Sequence, residues 1–556
     1  MSDYNILAWQ TLRRPPLQGE VPPDVPDVPL KALTCRNSVT SVTALVTANK
    51  PVKNARLILS DLSCPGGNIP AHAARIYLVG AVPTPEAGMV CDPLYPVDSF
   101  DIDKSAALYI NIKVPKDIPK GVYLGLAALE LDGKQLASRS IQIEVADVDL
   151  PDVHDWKFYL NIWMNPGAIA RFYGDPMWSE EHFEHMKPYL EDMAAHGQKT
   201  VVAPVVAKPW IDQTYTPYPS TVKWIRRGDT YEFDFSIFDK YVEIHRQYGI
   251  EQTIHCYSIV QGPEKAGQSL ITYTDAQSGN EVEMMTQIMD DEYVKAWGAF
   301  FDAFRKHLTG KGWMDKTYIA FDEKPSEVME KMIDFLGEYA PDFKTALAAN
   351  TRSNLFGSMD DLSLAVPFNE RGIAEMAPPE RSAVGVVELV DPDNVCVAAK
   401  DSPEKSITTY YVCCGPEFPN TFVHSPLIES RMMGFFAMQG GYDGFLRWAY
   451  NDWSESPYEH VQWQAHITFP SGDTFFVYPG ENGPISSLRW EQLREGIQDY
   501  ELAVIASENM RSSEEMVDYE QAITLACRNV DGRLKSTGDI EIARRLLIPI
   551  AEHQNE

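Results

Sequence analysis

Short runs in which apolar and polar residues alternate, divided by Pro, Gly and Asp clusters, fill residues 1–150. Ser41–Val46, Ala55–Leu59, Ala107–Lys113 and Ser140–Val145 follow the two-residue period of a half-buried strand. Val114–Tyr123 reads as a turn feeding the next strand, and Asp147–Asp152 as a linker. Many short strands between turn signals predict an all-β sandwich. From Lys157 the rhythm changes to strand, loop, amphipathic helix. Predicted strands are Lys157–Trp163, Lys199–Val206, Glu251–Tyr257, Lys316–Asp322, Lys344–Ala349, Asp361–Val366, Ile407–Cys413 and Tyr442–Trp448. Helical periodicity falls between most of them, at Ser179–Ala195, Phe235–Tyr248, Glu292–Leu308, Ser326–Tyr339 and Ser425–Gln439. Eight such units predict a (β/α)8 barrel of the TIM type, whose active site forms where the strands end. An insertion, Asn451–Pro484, displaces the eighth helix to Ser486–Ser507, with Ser486 or Ser487 as its cap. The expected division is a β-sandwich over 1–150, a barrel over 155–508, and a helical extension over 509–556 packed on the barrel.

Composition narrows the function. A chain of 556 residues is too long for one ordinary core. The 79 acidic against 48 basic residues leave a net charge of −31. That argues against nucleic acid and anionic membrane surfaces, which reward basic patches. No apolar stretch is long enough to predict a transmembrane helix. Met1–Leu7 lacks the basic start and apolar run of a signal peptide, so the sequence as it stands reads as cytoplasmic. A chain whose signal had been trimmed would read the same, and the oligomeric state is left open. The eight cysteines form neither CxxC pairs nor a regular framework, which leaves room for a disulfide or two among Cys35, Cys64 and Cys91. Adjacent Cys413 and Cys414 read as core packing, and no GxGxxG or Walker loop is present. His182 and His185 lack HExxH spacing and read as a solvated helix face.

The chemistry gathers at strand ends. Asp322-Glu323 closes the buried strand four, and Lys324-Pro325 forces an extended exit before the next helix. The bland alternative makes the pair an N-cap and first-turn acid for that helix, as Asp291-Glu292 reads for another. The functional reading gives the acids different jobs. One protonates a departing glycosidic oxygen, which needs a raised pKa. The other is too close along the chain to be an opposite-face nucleophile. It can instead accept a hydrogen bond from a sugar's 2-acetamido N–H, so that the substrate supplies its own nucleophile. A second cluster, at strand eight, offers Arg447, Trp448, Asn451 and Trp453 to bind hydroxyls and stack on a pyranose, or else to build an aromatic core with a charged rim. Asp473 is a hydroxyl acceptor in the following loop, and Tyr411 ends strand seven, where its phenol could reach an acetamido carbonyl. Asn161 and Trp163 of strand one and His255 of strand three are further rim candidates.

The ordered motifs Asp322-Glu323, Tyr411–Asn420, Gly444–Asn451, Gly472–Gly480 and Leu488–Glu501 resemble glycoside hydrolase family 123. The resemblance implies an N-terminal β-sandwich joined to a catalytic (β/α)8 domain. It also implies an exo-acting, retaining β-N-acetylgalactosaminidase that works by substrate assistance on glycolipid-type and related glycans, with no metal or organic cofactor. By position, Asp322 would orient and stabilise the acetamido group and Glu323 would serve as general acid, then base. The expected partner is a glycan ending in β-linked N-acetylgalactosamine. Three alternatives stay open: a β-N-acetylglucosaminidase or broad β-hexosaminidase, a hydrolase of a sugar without an acetamido group, and a non-catalytic glycan-binding protein on the same barrel.

Overall fold

The computed structural model describes residues 3–23, 25–261, 267–350, 355–365, 406–465, 467–527 and 538–555. The chain is mixed α/β, with an all-β N-terminal region followed by a nearly closed, eight-stranded parallel barrel. Two sheets make the N-terminal region. Ser38–Ala48 and Ser105–Val114 lie in one, Val52–Leu59, Gly121–Leu131 and Lys134–Asp149 in the other. Their inward residues, among them Val42, Ala44, Leu108 and Ile110 against Leu57, Leu129, Ile141 and Ile143, share one core. The expected linker at Asp147 is instead the end of the strand Lys134–Asp149, held by Arg36 through Asp147 and Asp149, both at 2.6 Å.

The barrel strands are β1 (Tyr159–Ile162), β2 (Thr200–Val202), β3 (Thr253–Cys256), β4 (Thr317–Asp322), β5 (Lys344–Ala349), β6 (Asp361–Ala365), β7 (Ile407–Tyr411) and β8 (Gly444–Arg447). All eight fall within the predicted segments, and the predicted last residue of strand six, Val366, lies outside the described residues. Pairing runs β1-β8-β7-β6-β5-β4-β3-β2. Between β2 and β1 the ladder is reduced to one bridge, Leu160 with Gln198. There the Gln198 carboxamide stands in for a strand backbone, accepting from Ile162 N at 2.9 Å and donating to Ile162 O at 3.0 Å.

The outer faces of the strands are apolar because helices cover them, while the inner faces mix apolar residues with buried polar ones such as Asn161, Thr253, His255 and Asp361. Leu160, Ile162, Ile254, Ile319, Phe321, Leu347, Leu362 and Phe445 pack outward in the main core. The alternate positions Trp163, Val202, Tyr257, Tyr318, Ala320, Ala346, Ala348, Tyr411 and Leu446 form a separate group, with Trp210 and Tyr218 from the β2 loop. The helix Leu488–Asn509 is capped by Ser487, whose hydroxyl accepts from Trp490 N. It crosses Leu427–Gly440 where two glycines meet: a Cβ on Gly434 would stand 1.9 Å from Gly496 O. The same helix docks the barrel on the N-terminal sheet, with Asn111 donating to Glu491 at 2.8 Å and Ser41 to Glu495. The strand Gly483–Ser487, at the end of the insertion, joins that sheet as well, pairing Ser486 and Ser487 with Leu94 and Pro93.

Candidate active site

The alternation of β4 sends Asp322 inward, toward the aromatic group, and would send Glu323 outward toward the helices. The backbone at Glu323 breaks that alternation. Its φ is +46°, the left-handed region that a non-glycine residue enters only at a cost. Its N–H still extends the ladder, donating to Ala348 O at 2.8 Å. The side chain, however, swings across the mouth, where the Tyr411 hydroxyl on β7 donates to Oε1 at 2.6 Å. Two sequence neighbours therefore face the same opening. Neither caps the following helix: it starts at Ser326 with Pro325 at the cap and no side-chain bond. The bland alternative for the pair fails on that geometry, whereas Asp291 and Glu292 do form the first turn of Asp291–Lys311.

Burial and the neighbouring Glu323 charge push the Asp322 carboxyl up to about 7, opposed by Lys324 and the Trp210 indole. Lys324 is itself buried, donates to Asp322 O at 2.5 Å, and has its pKa lowered by desolvation. Burial and Glu323 hold the Tyr411 phenol well above its usual range, so it stays a donor. Around Asp322, Trp163 stacks on Trp210 with centroids 4.9 Å apart, and Tyr257 lies 4.8 and 5.0 Å from the two indoles. The Trp210 indole N–H is turned to the Asp322 carboxyl, while the Trp163 indole N–H and the Tyr218 hydroxyl are buried without a hydrogen-bond partner. Unpaired buried donors are uncommon in a finished core, and two in the aromatic group that meets Asp322 form a recess suited to a polar guest. Trp210, Tyr218 and Tyr257 were missed in the sequence. The Pro- and aromatic-rich run Pro204–Ser220 is the signal that could have found the first two.

The remaining candidates separate by what their polar atoms already do. Trp448 is half-buried at the rim, packed on Phe469 at 5.1 Å and close enough to Asp473 to help lower its pKa. Arg447 is fully buried and spent on struts: Val412 O at 3.1 Å, Asn420 Oδ1 at 2.7 Å and Asp473 Oδ1 at 2.7 Å. It ties the exit of β7 to the insertion, with its Nε left unpartnered. Burial raises the Asp473 carboxyl to about 6 against the pull of Arg447, and only its Oδ2 remains unpartnered. Asn451 is likewise spent, accepting from Asn165 N at 2.7 Å and donating to Asn165 O at 3.0 Å. Trp453 packs away from the recess, its indole donating to Val477 O at 2.7 Å. Asn161 and His255 lie deeper inside the barrel, where His255 faces Asp361 at 3.2 Å. The expected solvated face at His182 is corrected too: its ring is buried, accepting from Trp178 N at 3.1 Å and facing Pro166 O at 2.9 Å. Cys35, Cys64 and Cys91 are all free, which removes the expected disulfide.

Two consequences are measurable. Arg447→Met strands Asp473 as a buried, unpaired carboxylate, and urea unfolding should register a loss of about 3–5 kcal/mol. Asp473→Asn keeps an acceptor for Arg447 and should lose less. Tyr411→Phe removes a hydrogen bond to a charged group, about 1.5–3 kcal/mol, so turnover should fall roughly ten- to a hundredfold with the fold intact.

A parallel barrel with two carboxylates at the C-terminal mouth, beside an aromatic recess, has the architecture of a glycoside hydrolase. Residues 163–506 match the family described as glycoside hydrolase 123, catalytic domain, and the chain belongs to that family. Among solved structures, a family 123 glycoside hydrolase from Clostridium perfringens, analysed for glycolipid glycan hydrolysis, superposes with a TM-score of 0.81. The two share 23% identity over 100% of this chain and 98% of that one, so the fold extends through the N-terminal region. A family 2 β-galacturonidase from Eisenbergiella tayi is far more distant, with a TM-score of 0.29 at 9% identity over 83% of this chain and 69% of that one. No curated protein sequence matches the chain.

Proposed function

We propose that the protein is an exo-acting, retaining β-N-acetylgalactosaminidase whose nucleophile is the substrate's own 2-acetamido oxygen. The observation that carries the proposal is the common orientation of the two carboxylates, Asp322 in the aromatic recess and Glu323 turned beside it by its left-handed backbone. Carboxylates on one side of a sugar cannot act as acid and opposite-face nucleophile, which leaves the attack to the substrate. Asp322 accepts the acetamido N–H and stabilises the oxazolinium as the acetamido oxygen attacks the anomeric carbon. Glu323 gives its proton to the departing oxygen, then takes one from the water that opens the oxazolinium. Two inversions at one carbon leave the configuration retained. Rings of Trp163, Trp210 and Tyr257 bound the acetamido site, and the unpaired Trp163 indole N–H and Tyr218 hydroxyl meet sugar oxygens. Trp448 lines the rim, with the buried Asp473 behind it.

In this scheme residues 155–508, as a TIM barrel, are the catalytic unit, and the sandwich (1–150) and helical extension (509–556) support it. The Clostridium perfringens relative, analysed for glycolipid glycan hydrolysis, supports offering a glycolipid-type glycan, and the proposed mechanism asks for a terminal β-linked N-acetylgalactosamine on it. Hydrolysis of matched p-nitrophenyl β-glycosides of N-acetylgalactosamine, N-acetylglucosamine and galactose tests the proposal. Release from the first alone is expected. Equal release from the first two makes the enzyme a broad hexosaminidase, and release from galactose alone rules out acetamido assistance.

A further inference from the structure

We propose that Cys413 and Cys414 form a reversible dithiol–disulfide site at the rim of the pocket, and that their oxidation by a low-molecular-weight disulfide disengages Tyr411 from Glu323. The two sulfurs stand 3.8 Å apart, with Cys414 exposed and Cys413 packed against the group that contains Trp163, Tyr411 and Trp448. Cys35, Cys91 and Cys256 are buried, so the adjacent pair is the accessible dithiol among the described cysteines. The hydrogen bond between the two thiols lowers the pKa of Cys414, while Cys413 is held well above its usual value. The exposed sulfur is thus the one that carries the thiolate, the form that attacks disulfides.

With oxidised glutathione the electron count closes. The Cys414 thiolate attacks one glutathione sulfur and expels a glutathione thiolate, which takes the Cys413 proton. The Cys413 thiolate then attacks the Cys414 sulfur and expels the second glutathione. The protein loses two protons and two electrons, and one glutathione disulfide gains them to become two thiols.

Ring closure must disturb the backbone. Neighbouring Cα atoms across a trans peptide are about 3.8 Å apart. Disulfides ordinarily span about 4.4–6.8 Å between Cα atoms and bring the sulfurs to about 2.05 Å. Side-chain rotation alone cannot absorb that mismatch, so the peptide between the cysteines distorts. The distortion begins two residues after Tyr411, in a turn closed by Cys413 N donating to Gly415 O at 3.1 Å. Asn420 holds the same turn, donating to Cys413 O at 2.9 Å. A strained bond of this kind is also readily reduced, which makes the change reversible.

The loss of activity rests on the proposed hydrolase function, whereas the disulfide and the backbone change do not. The full chain would be treated with oxidised glutathione, then dithiothreitol, alongside Cys414→Ser. Peptide mass mapping, hydrogen exchange over residues 408–415 and aryl-glycoside turnover would be followed together. Expected are a loss of two hydrogens in the peptide holding both cysteines, faster exchange across Tyr411–Gly415, and at least a tenfold fall in turnover, all restored by dithiothreitol. Cys414→Ser should keep basal turnover within about twofold and resist the oxidant. A lasting glutathione adduct without ring closure, a disulfide that leaves exchange unchanged, or a Cys414→Ser enzyme that is equally inactivated would each overturn the proposal. If no glycoside is cleaved at all, the functional assignment has failed, and mass and exchange still decide the dithiol site.

Discussion

Glu323→Gln is expected to leave a folded protein whose turnover on an aryl β-N-acetylgalactosaminide falls by about 10²–10⁴-fold, the usual contribution of a positioned acid–base group. The carboxamide still offers an oxygen to the Tyr411 hydroxyl, so the rim contact at 2.6 Å has a successor and the fold has little reason to change. What is lost is a transferable proton. The defect should therefore shrink as the leaving group improves, because a dinitrophenolate departs with little help, and added azide should restore turnover by replacing base-assisted water. A uniform loss across leaving groups would remove Glu323 from the role of acid. In the unmodified enzyme, kcat/KM should fall as pH rises through about 7, where the Asp322–Glu323 pair gives up its last proton. A profile flat from pH 6 to 9 would contradict that.

Asp322→Asn should lower kcat by about 10²–10³-fold and at the same time make the protein more stable. The fold holds the Asp322 carboxyl at about 7, above the ordinary aspartate value of 3.8, because burial and the Glu323 charge disfavour ionisation. Between those two values the native chain binds a proton that the unfolded chain does not. Stability is therefore full below the unfolded value and is lost as pH rises through about 7. Asparagine carries no charge to desolvate, so at pH 8 the variant should gain about 1–3 kcal/mol in urea unfolding and lose the pH dependence. Tightness for a thiazoline that imitates the oxazolinium should fall in parallel with kcat, since Asp322 serves that state. With the unmodified enzyme, a 2-fluoro sugar should leave no covalent glycosyl adduct. A trapped adduct would assign the chemistry to a protein carboxylate, and a variant that turns over normally would take Asp322 out of the mechanism.

Much of the fold was legible in the residues because periodicity is a local property of the backbone. Lys344–Ala349 and Ser326–Tyr339 carry the same bounds in the sequence pattern and in the structure. Every barrel strand was visible as an apolar run between turn signals, and Asp322 stood at the end of one of them. A serine cap at 486 or 487 was legible because a helix start leaves amide donors that a nearby hydroxyl satisfies, and the structure selects Ser487.

Tertiary structure decided everything that depends on competition for polar atoms through space. Arg447 and Asn451 are residue types that bind sugars well, yet Asp473, Asn420 and Asn165 had already taken their hydrogen bonds. Trp210 and Tyr218 are ordinary core residues in one dimension, and only the folded barrel gathers them with Trp163 into one aromatic group. The near-closure itself needed Gln198 to act as a piece of strand. The turn of Glu323 toward Tyr411 breaks the period-two rule by which sequence patterns are read, and a partner 88 residues away holds it there. The sequence by itself determined the order of elements and the acid pair at a strand end, since both follow from local backbone geometry. The folded chain alone decided which side chains remained free to meet a substrate, since that is set by which partners the other polar groups found first.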